Sequence, residues 1–400
     1  MPVFTFHALT AGGRTEHGVV DADSPRSAWQ ALRARGLYPT DVRAADGGAA
    51  GRARPRPTAA DLASALRQLA TLVQAGVPVA DALDAVVEAG VPAVLAGALV
   101  AARARVREGA SLADALGAVP GVFPPLHRAL VRAAEASGAL GPVLVRLAEH
   151  AEASAALGAR LRAATTYPAI MLGVTTIVFA FLLARVVPEI ARLFAETGTP
   201  LPLATRALLA LVDVVRATWW AWVLALAGAA AAGRSWLATP AGRARWDAAL
   251  LALPLAGRLV RHAATARLAR TLATVLGSGV PLESGLALAA DTAGNAAVAA
   301  AVHAAREAVR GGEPLARALA TTAVLPPLLV RLVAIGEVGG TLVPALERAA
   351  DSYEHEVAAA LDTVTRVLEP ALVVVAGAAV LVLVLGILVP VLTLDPVGAR

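Results

Sequence analysis

Two glutamates lead nearly identical hexapeptides in distant parts of this chain: "EASGAL" begins at Glu135 and "EVGGTL" begins at Glu337. We expect Gly138 and Gly340 to end helices, which places both glutamates near helix C-termini. The helix dipole disfavours a carboxylate there by about 0.3–1 kcal/mol. A structural explanation is that each carboxylate accepts hydrogen bonds from free N–H groups of the helix that follows the glycine, and so fixes the corner.

A second acidic feature is also repeated. Glu149 and Glu152 are spaced like Asp351 and Glu354, and residues at positions i and i+3 share one face of a helix. This pattern favours a solvated acidic face, with a basic partner as the alternative. Two such positions supply too few oxygen ligands for a divalent cation, which takes about six. No metal ligands are therefore assigned, and a divalent cation is the third alternative for this face.

Two dipeptides precede long apolar stretches, Tyr167–Pro168 and Glu369–Pro370. Proline is tolerated in the first turn of a helix and sets a bend where it interrupts one. Both prolines therefore predict structural hinges at the entries to membrane spans. A carboxylate at such an interface can pair with a nearby arginine, and Arg366 is close in sequence to Glu369.

The usual catalytic constellations are missing from the sequence. It has no cysteine, and every basic residue is arginine, so a P-loop with its lysine is excluded. No two histidines are spaced i and i+4 as in H-E-x-x-H, and there is no G-x-S-x-G motif. No basic stretch is interleaved with aromatic residues, as nucleic-acid binding would favour. We predict no enzyme activity, no cofactor and no nucleic-acid partner.

The composition indicates a membrane protein built from helices. Of the 400 residues, 58% are hydrophobic and only 4% are aromatic, with a mean hydropathy of +0.66. Alanine, leucine and valine supply most of the apolar side chains, which suits packed helices better than sheet. The predicted fold class is mostly α.

Three apolar stretches are close to the roughly 20 residues that cross a bilayer: residues 168–187, 217–233 and 370–394. Only Asp247 opposes the arginines that follow the second stretch, which are Arg234, Arg243, Arg245, Arg258, Arg261, Arg267 and Arg270. The positive-inside rule therefore places this side in the cytoplasm. The N-terminus would then be cytoplasmic, with residues 188–216 and the tail 395–400 outside.

An internal repeat organises the whole chain. "AGVPVADAL" from residue 75 pairs with "SGVPLESGL" from residue 278 at an offset of 203, and the glutamate hexapeptides pair at an offset of 202. In the first unit, Leu62, Leu66, Leu69 and Val73 form one helical stripe. Each unit is expected to be a helical bundle that runs directly into a span. The helix from Pro142 is expected to continue past Tyr167 without a break.

The predicted organisation has these parts. Residues 1–45 form a small α+β domain and 46–57 a linker, 58–166 and 234–369 are homologous cytoplasmic helical domains, and the spans and outer segments named above complete the chain.

At this point the sequence resembles the inner-membrane platform protein of type II secretion systems, the protein F family, shared with the type IV pilus counterpart. The resemblance rests on "YPAIM" with "EPALV", on "EASG" with "EVGG", on "VVPEIARLFAETGTPLPLAT" after the first span, and on "ARLARTLATVLGSGVPL" opening the second unit. The N-terminal "HALTAGGR" and "GLYP" segments also match. The pieces cover nearly the whole chain in the right order.

The resemblance implies a multi-pass protein of the bacterial inner membrane with its C-terminus in the periplasm. It implies docking of a cytoplasmic secretion ATPase, contact with other inner-membrane components and pilin-like subunits, and a homodimer or higher oligomer. Under this interpretation Glu135 and Glu337 contact an arginine of the ATPase, which is the functional alternative to fixed corners. Glu369 meets the N-terminus of a pilin-like subunit, as an alternative to pairing with Arg366.

Two other classes of protein compete with this reading. A small-solute transporter also has spans and internal duplication, but transporters build substrate sites from polar or broken helices at the midplane, and these three stretches carry almost no polar residues. A membrane enzyme is the other alternative, and the missing catalytic motifs argue against it. Within the family, type IV pilus assembly is the alternative to secretion.

Overall fold

The computed structural model describes residues 3–9, 15–22, 24–34, 36–44, 57–119, 121–197, 203–254 and 256–393. Helices account for most of them, which confirms the predicted mostly-α class. The predicted linker 46–57, apart from its last residue, and the tail 395–400 lie outside the described residues.

The first elements of the chain form a small sheet with one helix. Strands β1 (Val3–Leu9), β2 (Thr15–Asp21) and β3 (Tyr38–Ala44) are all antiparallel in the order β2-β1-β3. Helix α1 (Pro25–Ala34) lies between β2 and β3 in the chain and contributes the buried residues Ala28 and Leu32. These two side chains share a small core with Ala8 and Ala22.

Five helices follow in the first repeat. They are α2 (Ala59–Gln74), α3 (Val79–Glu88), α4 (Ala93–Arg107), α5 (Leu112–Gly117) and α6 (Pro125–Ser137). The stripe predicted on α2 is confirmed, because Leu66 and Leu69 are buried while Leu62 and Val73 pack at the edge of the same core. Gly76 ends α2 with φ +86°, a backbone conformation that glycine adopts without strain.

The second repeat has the same order of helices. These are α10 (Ala256–Gly277), α11 (Leu282–Thr292), α12 (Ala296–Arg310), α13 (Leu315–Ala320) and α14 (Pro327–Val338). The short helices α5 and α13 have the same length and are followed by equivalent proline turns, so the duplication predicted from the sequence extends to the secondary structure.

The chain divides into two compact units. The first comprises Met1–Ala156, Ala269–Thr292 and Val338–Glu347, and the second comprises Leu157–Leu268, Ala293–Glu337 and Arg348–Arg400. The core of the first unit joins first-repeat side chains such as Leu130 and Leu144 to Val275 of the second repeat, all fully buried. The compact units therefore do not coincide with the predicted domains 58–166 and 234–369, because the start of the second repeat is part of the first core.

Three long helices carry the apolar stretches: α7 (Leu140–Thr197), α8 (Leu203–Ala238) and α15 (Leu342–Thr393). A shorter helix, α9 (Pro240–Ala252), follows α8. The expectation of an unbroken helix through Tyr167 is confirmed, since α7 is continuous from Leu140. Among residues with described side chains, two stretches are long and apolar enough to cross a membrane, in Leu140–Leu182 and Trp220–Ala238.

The first of these stretches is longer than a bilayer requires, which is about 20 residues. Its first half carries Arg146, Glu149, Glu152 and Arg160, whereas exposed apolar side chains such as Ile177 (71% exposed) follow Pro168. The apolar part of this candidate span therefore begins near Pro168. Much of the third predicted span, 370–394, lies outside the residues whose side chains are described, and this span stays a prediction.

Candidate functional site: the paired glutamate corners

Glu135 is joined to the start of a neighbouring short helix. It lies near the C-terminal end of α6, and its carboxylate oxygens accept hydrogen bonds from the N–H groups of Leu112 and Ala113 at 2.5 and 3.1 Å. These are the first residues of α5. A third N–H, that of Asp114, donates to the Ser111 hydroxyl at 3.1 Å. Three N-terminal N–H groups of α5 are therefore satisfied by two side chains.

Glu337 makes the same arrangement in the second repeat. Its carboxylate accepts from the N–H groups of Leu315 and Ala316, the first residues of α13, at 2.7 and 3.0 Å. Here the residue before the helix is Pro314, which provides no side-chain cap. Glu337, on the next helix, thus provides the hydrogen-bond acceptor that an N-cap side chain would otherwise provide for α13.

The predicted hydrogen-bond partners of both glutamates were wrong. The expectation was the helix that follows Gly138 or Gly340, and the structure instead places the bonds on α5 and α13, which come earlier in the chain. The physical reason is packing: the bundle brings α6 and α14 against the N-terminal ends of α5 and α13, and the positive end of each short helix offsets the unfavourable position of the carboxylate at the end of its own helix. Both glutamates are half-buried, so each contact is partly shielded from water.

Gly138 and Gly340 make the turns after the two glutamates. Their φ angles are +69° and +66°, in the left-handed region. The Gly138 N–H bonds back to the carbonyl groups of Ala134 and Glu135, which closes the end of α6. The predicted role of Gly138 as a helix terminator is confirmed. Its N–H is bonded within the turn that it makes.

The first acidic pair is divided between two environments. Glu152 forms a bidentate ion pair with Arg67 of α2, with N–O distances of 2.7 and 2.6 Å, and the two side chains are 44% and 36% exposed. The Arg67 hydrogen bond lowers the pKa of the Glu152 carboxyl, and the same bond raises the pKa of Arg67. Glu149 is exposed. A basic side chain of the same chain therefore partners one member of this face.

Removing the Arg67–Glu152 pair is expected to have a small effect on stability. Exposed ion pairs contribute about 0.2–1 kcal/mol because water screens them and ordering two long side chains costs entropy. A double-mutant cycle with Arg67→Ala and Glu152→Ala, followed by denaturant unfolding, measures the coupling energy. A value several times larger would show that the pair belongs to a wider network.

The second acidic pair has matching exposure. Asp351 is exposed like Glu149, and Glu354 is half-buried like Glu152. Across the described part of the chain, no group of three or more His, Asp or Glu side chains is arranged to hold a metal ion.

The span-entry residues lie inside long helices. Tyr167 (43% exposed) and Pro168 are within α7, and Glu369 and Pro370 are within α15, so neither proline is in the first turn of a separate helix. Glu369 is exposed, and among the described contacts no ion pair joins it to Arg366. The hinges stay a prediction.

Sequence reasoning missed two buried histidines in the first unit. His127 on α6 and His150 on α7 are 5% and 6% exposed, and the Nδ1 atom of each lacks a hydrogen-bond partner among the described residues. Burial lowers the pKa of His127 to about 3 and that of His150 to about 4. An alignment of the two repeats could have pointed to them, because the second repeat has Leu329 and Ser352 at the positions of His127 and His150.

His150 also borders a polar cavity of about 200 Å³ in the first unit. The other charged residues around it are Arg146, Glu149, Arg270 and Glu347. Two arginines face two glutamates, so the lining has no net charge that would select an anion or a cation. The cavity therefore identifies no ligand class.

Comparison with known families identifies the family to which this duplicated helical chain belongs. A family model described as "Type II secretion system (T2SS), protein F" matches residues 65–188 and again residues 268–390. The chain belongs to this family. A model for the N-terminal domain of type II secretion system protein F matches residues 1–43. The two protein F matches each run from one repeat into the long helix that follows it.

Whole-length relatives agree with the protein F assignment. Type II secretion system protein F of Pseudomonas aeruginosa is 40% identical, covering 99% of both chains, and that of Vibrio cholerae is 37% identical over the full length of both. The type IV pilus assembly protein PilC of Thermus thermophilus is 35% identical, covering 98% of this chain and 97% of its own. This is a family of secretion and pilus assembly proteins rather than of enzymes.

Proposed function

We propose that this chain is the inner-membrane platform of a type II secretion system, which docks the cytoplasmic secretion ATPase and passes its motion to pseudopilus assembly. The observation that carries the proposal is the full-length match to secretion proteins. Pseudomonas aeruginosa offers an internal contrast, since the chain is 40% identical to its secretion protein F and 33% identical to its PilC. Pilus assembly is the alternative within the family.

The proposed topology has three spans, 168–187, 217–233 and 370–394, with the N-terminus in the cytoplasm and the C-terminus in the periplasm. Two exposed apolar helix stretches support the first two spans. The arginines after α8 support the cytoplasmic side for the second repeat. Residues 1–45 are proposed to form a small α+β domain on that same side.

The glutamate corners are proposed to hold the ATPase-docking surface in shape. Both oxygens of each carboxylate already accept helix N–H groups, so an arginine from the ATPase would have to compete with those bonds. Loss of a carboxylate would displace α5 or α13, and with it the surface next to it. Pilin-like subunits and other inner-membrane components are the further partners proposed, with the platform acting as a homodimer or higher oligomer.

Co-purification with the secretion ATPase tests the proposal. Detergent-solubilised wild type is expected to retain the ATPase, and Glu135→Arg and Glu337→Arg are expected both to melt early and to bind less. A matched control is Glu88→Arg, which reverses the charge of an exposed glutamate at the end of α3. Wild type that fails to retain the ATPase would overturn the platform assignment. Variants that lose binding but melt normally would make the carboxylates direct contacts instead.

A further inference from the structure

A short helix, α9, follows the second candidate span. Helix α9 begins at Pro240, separated from the span stretch Trp220–Ala238 only by Thr239. The Thr239 hydroxyl donates to the Trp236 carbonyl at 2.6 Å and accepts from the Gly242 N–H at 3.1 Å. These two bonds fix the start of α9 against the end of α8.

The backbone of Gly242 makes this corner tight. A side chain at this position would run into the carbonyl oxygen of Trp236, so the first turn of α9 lies directly against the last turns of α8. Helix α9 is therefore held at the level where the apolar stretch ends.

Helix α9 is attached to α12 within the second unit. Asp247 is only 7% exposed, and its carboxylate accepts a hydrogen bond from the Ala296 N–H at 2.7 Å, at the start of α12. The Asn295 side chain donates to the Asp247 carbonyl at 3.3 Å. The only acidic residue between positions 234 and 282 is thus used inside the fold, where it caps α12.

The exposed residues around this corner are basic and aromatic. Arg234, Arg243 and Arg245 are exposed, and none of them forms an ion pair with a described residue. Trp236 and Trp246 are 43% and 47% exposed. Tryptophan is enriched where a membrane meets water, and arginine matches phosphate with two parallel hydrogen bonds.

We propose that the exposed residues at this corner, Arg234, Trp236, Arg243, Arg245 and Trp246, here called the Arg–Trp corner, bind the phosphate headgroups of anionic phospholipids. The inference rests on the proposed function in one respect, that α8 crosses the membrane. Continuity of the corner with the apolar end of α8 selects a lipid surface as the partner, and its uncompensated positive charge selects anionic lipid over neutral lipid. Nucleic acid lacks the acyl chains that the two tryptophans would contact.

Binding of fluorescent phosphatidylglycerol and phosphatidylcholine to the full-length protein in neutral detergent tests the inference. Wild type is expected to prefer phosphatidylglycerol, with a preference that weakens as salt is added. Each arginine near an anionic surface contributes about five-fold in affinity, so Arg243→Gln with Arg245→Gln should weaken phosphatidylglycerol binding about 25-fold and leave phosphatidylcholine unchanged. Trp246→Ala should weaken binding of both lipids.

The charge-matched control is Arg317→Gln with Arg331→Gln, which removes two exposed arginines of the second repeat. This control should keep wild-type lipid binding, and melting curves should be alike for both double variants because all four positions are exposed. Equal binding of the two lipids by wild type, an equal loss in the control, or displacement of phosphatidylglycerol by a short RNA would each overturn the inference. ATPase retention by the same samples reports separately on the platform assignment, and protein that is soluble without detergent would contradict the spans themselves.

Discussion

Replacing Glu135 by alanine is expected to lower the free energy of unfolding by about 2–3 kcal/mol, because hydrogen bonds to a charged group contribute about 1.5–3 kcal/mol and their loss leaves N–H groups unpaired. The loss of protection should first appear at the start of α5 and not throughout the protein. Amide hydrogen exchange at Leu112 and Ala113 should accelerate, since these two N–H groups lose their acceptor. Mass-spectrometric exchange on the detergent-solubilised protein measures both peptides.

The duplicated architecture provides the control for this experiment. In Glu135→Ala, exchange at Leu315 and Ala316 should stay at the wild-type rate. In Glu337→Ala, exchange at Leu315 and Ala316 should accelerate, and exchange at Leu112 and Ala113 should stay at the wild-type rate. Glu88→Ala removes an exposed glutamate at a helix C-terminus and should change neither pair. Equal acceleration at all four amides would contradict the local capping role and indicate general unfolding.

Glu337 is expected to be at least as sensitive as Glu135. In the first repeat the Ser111 hydroxyl still satisfies one N–H of α5 after the carboxylate is removed. In the second repeat Pro314 offers no side-chain oxygen to α13. The carboxylate is therefore the only described side-chain cap of that helix, and its loss leaves the first turn without one.

The sequence predicted those features that local chemistry determines. The duplicated hexapeptides, the left-handed glycine after Glu135 and the apolar stripe on α2 follow from residue types and spacing along one helix, and the structure confirms them. The acceptor role of the two glutamates could also be argued from the helix dipole. Which helix donates could not, because the approach of α6 to α5 depends on how the whole bundle packs.

Long-range pairing explains the other differences. The two repeats have similar apolar faces, so the sequence does not reveal that Val275 lies in the core with Leu130. Asp247 was expected to oppose the surrounding arginines, and the structure shows it buried as a cap for α12. From the sequence alone, a single acidic residue in a basic segment is interpreted as a surface charge, because the helix that it caps is distant in the chain. The alignment of the repeats contained one unused signal, the leucine at 329 opposite His127.

The buried histidines should make the protein sensitive to mild acid. An unfolded histidine takes up a proton near pH 6.5, whereas His127 and His150 in the folded chain do so only at about 3 and about 4. Between these values the unfolded state binds more protons, so stability falls as pH falls below 6.5 and is unaffected above about 7. At pH 5 the loss is about 2 kcal/mol for each histidine, from about 1.36 kcal/mol per pH unit.

Two variants separate this effect from ordinary acid denaturation. His127→Leu copies the residue that the second repeat has at the same position and should remove about half of the stability lost between pH 7 and pH 5, with little cost at pH 7 because an unpaired buried nitrogen is also removed. His303→Gln changes an exposed histidine and should leave the pH profile unchanged.

Carboxylates with lowered pKa values, such as Asp114 and Glu152, lose their contribution to stability only as pH falls through and below about 4. Thermal melting across this pH range distinguishes the two sources, and an unchanged profile in His127→Leu would show that His127 is not the group that takes up the proton.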